Sequence, residues 1–332
     1  MSDLRVGVLG AGLIAGVHAR TYAATPGARV VAVADPVIAK AEQLAAQVGA
    51  RAVKDLNELL ETGVDVVSVC TPPSSHAPLT TQALQAGLHV LGEKPLARSL
   101  DEAHLIVEAA RRAPGVLMVG HVSRFEPDHQ RAKEVVESGE LGEVQMMSHS
   151  MTTSLPGWSE GGWLANPELS GGPLVDLAVH SFDYLSWLSA SAPVRVHAVG
   201  SDSPAGPETY ALATVRYQSG AMALVETSWA HPTSYGFKLR VEIIGTRGRL
   251  AWSYDEINGG ALYVRDGDTT WFDPLGDRGY RAEIATFVKT VQAGSASPVP
   301  AEEGYRALRT ALAAVESVRT GETIDLTSWR MR

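Results

Sequence analysis

The first apolar run of the chain, residues 5–9, passes without interruption into Gly10-Ala11-Gly12-Leu13-Ile14-Ala15. Glycines two apart let the backbone turn tightly and come close to a ligand with no side chain in the way. With residues 5–9 as a strand and 14–24 as a helix, this run puts backbone N–H groups of a helix N-terminus at the end of a sheet. That arrangement binds pyrophosphate. Ala15 is an accepted small residue at the third position, where helix and strand pack closely, and Gly16 stands beside it. Glycine runs are common; a position after the first strand and before a helix gives this one its weight. Gly10, Gly12, Leu13 and Ile14 are therefore candidate cofactor contacts.

The pattern that follows agrees. Apolar runs at 29–34, 64–70, 89–91 and 116–119 read as further strands, separated by Ala-rich helical stretches at 38–47, 56–61, 78–86 and 100–112. Several runs are continuous rather than alternating, as in a parallel sheet covered on both faces. Strand–helix alternation of this kind predicts an α/β, doubly wound parallel sheet over residues 1–121. After about Gly120 the character changes. A helix at 126–137 and a strand at 142–151 precede a Gly/Trp/Pro-rich loop from Leu155 to Gly172 and a helix at 173–188. Strand-length runs follow at 194–201, 209–217, 221–229, 238–244 and 248–254, several alternating polar with apolar, and helices at 280–293 and 301–320 close the chain. Alternation predicts a mostly antiparallel sheet with two unlike faces in a second α/β domain, residues 122–332.

Composition narrows the function classes. The chain has 332 residues, 45% of them hydrophobic, enough for two domains with full cores. A net charge of −9 disfavours a nucleic-acid partner. The start, Met1-Ser2-Asp3-Leu4-Arg5, has no basic stretch or cleavage site of a secretory leader, and no apolar run reaches the length of a membrane span. A single cysteine, Cys70, leaves no internal disulfide and no cysteine-rich metal framework. The expectation is a soluble, cytoplasmic protein with a small-molecule substrate.

At the nucleotide end, the second strand finishes in Val33-Ala34-Asp35. A carboxylate there can accept both hydroxyls of an adenosine ribose and repels a 2′-phosphate, which favours NAD while leaving NADP open. Lys40 could still reach a phosphate, and Asp35 could also simply cap the helix after Pro36. Thr71-Pro72-Pro73-Ser74-Ser75-His76 leaves the carboxyl end of another strand, where ligands sit in open α/β sheets, so Thr71, Pro72 and His76 are cofactor candidates. A helix start capped by Ser74 or Ser75 is the plainer reading of that stretch. Cys70, flanked by apolar residues, reads as core.

At the chemical end, Glu93-Lys94-Pro95 follows the strand at 89–91. Lys94 at the carboxyl end of a sheet strand reaches the nicotinamide crevice. It could hydrogen-bond a substrate oxygen and offset alkoxide charge, with Glu93 orienting the loop and Pro95 restricting it. A cis Lys94–Pro95 bond is one possibility. Elsewhere, on one continuous helix from Pro173, Asp176 and His180 stand one turn apart on one face, with Asp183 beyond. Histidine can take a hydroxyl proton near neutral pH and a carboxylate can orient it. A surface ion pair is the plain alternative, and a metal cluster of Asp176, His180 and Asp183 finds no further ligand set. His121 and Arg124 leave the last strand of the first domain and are candidate pocket residues. Trp158 and Trp163 could close over a sugar face. His149, His197 and His231 read as ordinary strand or loop residues.

Taken together, Gly10-x-Gly12, Thr71-Pro72-x3-His76, Glu93-Lys94-Pro95 and Gly171-Gly172-x3-Asp176-x3-His180 resemble the glucose–fructose oxidoreductase / inositol dehydrogenase / MocA-type (Gfo/Idh/MocA) family. The resemblance implies an N-terminal Rossmann domain that binds NAD(P), followed by an α/β domain whose large open sheet often serves as an oligomer interface. It implies a homodimer or homotetramer. It implies hydride transfer between the nicotinamide and a secondary hydroxyl of a sugar, inositol or nucleotide-sugar. In that scheme Lys94 and His180 act on the hydroxyl and Asp176 positions it; His121 and Arg124 look like the substrate-lining residues of members acting on sugars, and Trp163 stays a candidate for the sugar face. Two other functions share this build: a glycosidase that oxidises transiently and retains its cofactor, and a non-catalytic NAD-binding regulator. Free NADH accumulates in neither. A complete Lys94–Asp176–His180 set argues against the regulator, which needs no proton acceptor.

Overall fold

The computed structural model describes residues 3–157, 160–203, 206–254, 259–264, 270–272 and 279–330. In chain order the first half holds β1 (Leu4–Leu9), α1 (Leu13–Ala24), β2 (Ala28–Ala34), α2 (Ile38–Val48), β3 (Arg51–Val53), α3 (Leu56–Leu60) and β4 (Val66–Val69). Then come α4 (His76–Gln85), β5 (His89–Glu93), α5 (Leu100–Arg112), β6 (Leu117–Gly120), α6 (Pro127–Glu137) and β7 (Val144–Thr152). The second half holds α7 (Pro167–Ser170), α8 (Gly172–Asp176), α9 (Ala178–Ser189), β8 (Pro193–Ser203), β9 (Gly206–Tyr217), β10 (Met222–Ser228), β11 (Lys238–Gly245) and β12 (Gly248–Tyr254). It finishes with β13 (Gly259–Val264), β14 (Thr270–Phe272), α10 (Tyr280–Ala293), α11 (Ala301–Thr320) and β15 (Ile324–Asp325). No helix among the described residues is long and apolar enough to cross a membrane.

The chain forms two compact units. The first comprises residues 1–126 and 277–305, the second 127–276 and 306–332. This differs from the contiguous division at 121/122 read from the sequence, because a C-terminal segment returns to the first unit. Gln292 Nε2 on α10 donates to Gly27 O (3.3 Å), and Val119 N–H donates to Val299 O (2.9 Å). Apolar patterning shows that α10 needs a partner, not which one.

The first unit is a six-stranded sheet in the order β3-β2-β1-β4-β5-β6, parallel throughout. β4 and β6 are buried at every residue, as their unbroken apolar runs require. The order reverses beside β1, and the crevice at the carboxyl ends of β1 and β4 is the dinucleotide position of such sheets. Helix boundaries follow local chemistry. Ser99 Oγ accepts the Glu102 N–H (3.2 Å), with Asp101 and Glu102 in the first turn of α5 and Arg111 and Arg112 in its last. The edge strand β3 escaped the sequence pattern, since three residues carry no period.

The second unit is a nine-stranded sheet, β14-β13-β12-β11-β7-β10-β9-β8-β15, antiparallel except for β7 beside β10. Alternation along β11 buries Leu239, Val241 and Ile243 on one face. The helix expected at 173–188 is two helices. The chain breaks at Leu177 (φ −100°, ψ −52°), between α8 and α9. α9 is buried at ten of its twelve positions and packs on β7 and β10. No breaker residue marks the break; docking of a helix buried nearly all round sets its direction.

Two buried rings lie against α9, His149, whose Nδ1 meets Ser181 Oγ at 2.9 Å, and His129, whose centroid is 4.2 Å from that of Tyr184 on α9. Burial, reinforced by His129, holds the His149 pKa well below 6.5. The unfolded ring therefore binds a proton that the folded one refuses, so stability is lost as pH falls below 6.5. The slope reaches about 1.4 kcal/mol per pH unit for one such group. Thermal unfolding of His149→Asn is expected to show a flatter fall in Tm between pH 6.5 and 5 than the parent; parallel curves would show that His149 is not the group being titrated.

Candidate active site

The phosphate-binding turn is built as its residues dictate. Gly10 has φ +96°, and a Cβ placed there would stand 2.6 Å from the Cys70 carbonyl oxygen. Gly10→Ala thus combines left-handed backbone strain with a backbone clash. It is expected to destabilise the protein by at least ~2 kcal/mol and to weaken dinucleotide binding; a Tm within a degree of the parent would contradict this. Gly12 is the N-cap of α1, and a Cβ there would meet open space, so the approach to the helix N-terminus is clear. Leu13 is 57% exposed at that end, Ile14 is half-buried, and Ala15 is fully buried against the sheet. An exposed leucine beside free N–H groups suits the ring faces of a bound nucleotide.

Asp35 follows β2 directly. Its Oδ2 accepts the Ala11 N–H (2.9 Å) and its Oδ1 the Val37 N–H (2.8 Å). The carboxylate thus ties the glycine turn to the end of β2 and caps the next turn. Each oxygen retains a lone pair for a ribose hydroxyl. These residues fit a dinucleotide.

Thr71, Pro72 and His76 sit after β4. His76 is buried, with Nδ1 2.8 Å from Pro95 O and Nε2 2.8 Å from Thr71 O. Burial lowers its pKa, and a neutral ring donates to only one of the two carbonyls. The two ring nitrogens join the Thr71 turn to the Lys94–Pro95 turn. That second turn leaves β5 with a cis Lys94–Pro95 peptide. Glu93 also faces inward: Oε1 lies 2.9 Å from His18 Nε2, and Oε2 accepts the Lys94 N–H (3.2 Å). Burial opposes ionisation of Glu93, yet its hydrogen bond to His18, the charge of His18 and that of Lys94 lower its pKa. His18 Nδ1 meets Ser68 Oγ at 2.8 Å, and Ser68 Oγ lies 3.6 Å from Cys70 Sγ. Burial works against a charged His18, but Cys70 and Glu93 outweigh it and hold its pKa well above 6.5. Glu93 thus anchors the Lys94 turn. Lys94 stands at the carboxyl end of the sheet, as the spacing implied.

His121 and Arg124 are both buried in the first unit, and the Arg124 guanidinium pairs with Glu303 at 2.6 Å. The structure thus gives Arg124 an ion pair with a residue far along the chain. In the second unit, Gly171 (φ +75°) and Gly172 (φ +67°) form the turn into α8, and Thr227 Oγ1 on β10 donates to Pro173 O (3.3 Å). Asp176 ends α8, half-exposed; His180 lies in the first turn of α9, 9% exposed, and Asp183 is buried beyond it. Asp176 and His180 stand on either side of the α8–α9 junction at Leu177, whose dihedrals stay in the right-handed helical region. Trp163 is half-buried on the short turn Glu160–Ala165 that leads through α7 to α8; Trp158 lies outside the described residues.

Sequence patterning missed two residues here. His18 lies on the buried side of α1, and Glu283 sits on the apolar stripe of α10 with Tyr280, Ile284 and Phe287. A charged residue at a core position of an amphipathic helix was the available signal. Among the described residues, three potential metal donors come together at His18, Glu93 and Glu283, not at Asp176, His180 and Asp183.

The comparisons agree with this geometry. A profile of an oxidoreductase family with an NAD-binding Rossmann fold matches residues 4–121, and that of the GFO/IDH/MocA C-terminal domain matches 129–251. The chain is 28% identical to myo-inositol 2-dehydrogenase of Thermotoga maritima, over 97% of this chain and 98% of that protein. It is 30% identical to D-glucoside 3-dehydrogenase of Escherichia coli, over 98% of each. The crystal structure of GenD2 from gentamicin A biosynthesis, in complex with NAD, superposes with a TM-score of 0.86 at 29% identity, covering 98% of this chain and 97% of that one. With its dinucleotide turn, its Glu93-Lys94-Pro95 anchor and both profile matches, the chain belongs to the Gfo/Idh/MocA family of NAD(P)-dependent oxidoreductases.

Proposed function

We propose that this protein oxidises a ring hydroxyl of an inositol, a sugar or a glycoside to the ketone, reversibly, with NAD as the preferred acceptor. The observation that carries the reading is the seat of Lys94. Its backbone is fixed by Glu93 and its turn by His76, at the carboxyl end of a dinucleotide-type sheet. A nicotinamide held there would supply the acceptor for the hydride of the carbinol carbon. Lys94 hydrogen-bonds the substrate oxygen and offsets the negative charge that builds on it. His180 accepts the hydroxyl proton, and Asp176 orients the substrate or the imidazole. Gly10, Gly12, Leu13 and Ile14 receive the pyrophosphate side of the dinucleotide, Asp35 the adenosine ribose, and Thr71 and Pro72 wall the crevice. Trp163 is assigned to the sugar face. The named substrates of the relatives, an inositol and a glucoside, support the polyol class.

We also infer a homo-oligomer assembled through the sheet of the second unit, in the cytosol. One face of that sheet presents Met146, Met222 and Val199 alongside the Ser150–Glu226–Tyr210 hydrogen bonds (2.6 and 2.8 Å), an apolar exposure that a second copy would cover.

The test is the near-ultraviolet absorbance of reduced nicotinamide, with NAD and then NADP, across inositols, sugars, glycosides and nucleotide-sugars. Growth with one of them supports the reading and names the substrate. Silence across the panel, with NAD binding shown by fluorescence, overturns it in favour of a cofactor-retaining glycosidase or a regulator.

A further inference from the structure

Behind the Lys94 turn lies an enclosed cluster that the proposed chemistry does not use. Glu283 is 0% exposed, and neither of its carboxyl oxygens has a hydrogen-bond partner. His18 Nε2, a Glu93 oxygen and a Glu283 oxygen all lie within 4.8 Å of one another. The groups facing them are Tyr22 on α1, Ser68 and Cys70 at the end of β4, Lys94 after β5 and Tyr280 on α10, with Glu126 acting on Tyr280. The nearby cations are His18 and Lys94, set against two carboxyls. Two buried carboxylates this close cannot both ionise without large cost, so one keeps its proton. Glu93 has the imidazole at 2.9 Å and the Lys94 N–H at 3.2 Å, whereas Glu283 has no donor. The proton therefore belongs on Glu283. Burial first, and the charge of Glu93 second, push its pKa well above the usual carboxylate range. A metal ion is the weaker occupant: with its pKa well above 6.5, His18 pairs as an imidazolium with Glu93 at 2.9 Å, and a protonated ring offers a metal no lone pair.

We propose that Glu283 is a positioning residue for Lys94: a neutral carboxylic acid that leaves Glu93 as the sole carboxylate anchoring the Lys94 turn, and whose loss of its proton at alkaline pH loosens that turn. Ionised Glu283 competes with Glu93 for His18. Glu93 Oε1 is then released, and the hold of Oε2 on the Lys94 backbone weakens with it. The consequence for catalysis rests on the proposed role of Lys94; the proton on Glu283 does not.

The experiment is an infrared pH titration of the whole protein in light and heavy water, with Glu283→Gln and Glu93→Gln beside the parent. Expected is a protonated-carboxyl band at neutral pH that Glu283→Gln removes. In Glu93→Gln the band should be lost at lower pH, because Glu283 then ionises against His18. The same variants are followed through the fluorescence of bound NADH against pH, and through kcat and KM against pH for the substrate found. In Glu283→Gln the alkaline change in fluorescence and the alkaline fall in kcat should move up by about one pH unit or more. A simple packing role would lower Tm and leave both profiles in place. Absence of the band from the parent, its persistence in Glu283→Gln, unmoved alkaline limbs or a stoichiometric bound metal would each overturn the inference. A parent with the band and shifted fluorescence but no turnover on any polyol sinks the dehydrogenase reading alone.

Discussion

Lys94→Ala is expected to lower kcat by about 10²–10³-fold, the loss seen when one preorganised donor to a developing oxyanion is removed. Affinity for NAD should stay within a few fold. The division follows from which atoms of Lys94 do what. Its backbone N–H is the group held by Glu93 Oε2, so alanine keeps that anchor. His76 bonds Pro95 O and Thr71 O, which the substitution leaves alone. The dinucleotide turn and Asp35 belong to the ends of β1 and β2. The ammonium and its stem are removed, and with them the group that offsets alkoxide charge, while His18 still holds Glu93. Single-turnover reduction of NAD by the substrate, beside a fluorescence titration of NADH, separates the two effects. Weak cofactor binding with a normal hydride-transfer rate would reassign Lys94 to the nucleotide and leave the proposed chemistry without its electrophile.

The second large effect is on cofactor choice. Asp35→Ala should raise kcat/KM for NADP over NAD by about 10–100-fold, corresponding to about 1.4–2.7 kcal/mol from removing a carboxylate that repels a 2′-phosphate and accepts ribose hydroxyls. The same carboxylate also bonds the N–H groups of Ala11 and Val37, so alanine loosens the glycine turn and should weaken both cofactors. Asp35→Asn separates these roles. Its amide oxygen can keep one N–H bond while the charge is gone, so it should gain NADP use with a smaller loss of NAD affinity. An unchanged cofactor ratio in both variants would mean that Asp35 serves the turn alone.

Both predictions rest on residues visible in the sequence, and the reasons differ. Gly10, Gly12 and Asp35 were legible because a positive φ, a side-chain-free approach and a strand-end carboxylate are local demands, met within a few residues. Lys94 was legible because strand β5 ends beside it. Glu93 and His76 were legible as residues, and Glu93 as the one that orients the Lys94 loop, but not the rest of their neighbours. Their partners, His18 and the Pro95 carbonyl, come from elements that only the folded sheet brings together. The counter-charge of Arg124 is Glu303, far along the chain, which no local pattern shows.

The sequence by itself determined the two kinds of sheet, the dinucleotide turn and the strand end that carries Lys94, because period, glycine and strand length are properties of short segments. Tertiary structure alone decided the rest. It returned residues 277–305 to the first unit, broke the helix at Leu177 between Asp176 and His180, and set Glu283 behind Glu93. Each of these depends on which buried face meets which. An apolar stripe states only that it must be covered; the packing of the whole chain selects what covers it.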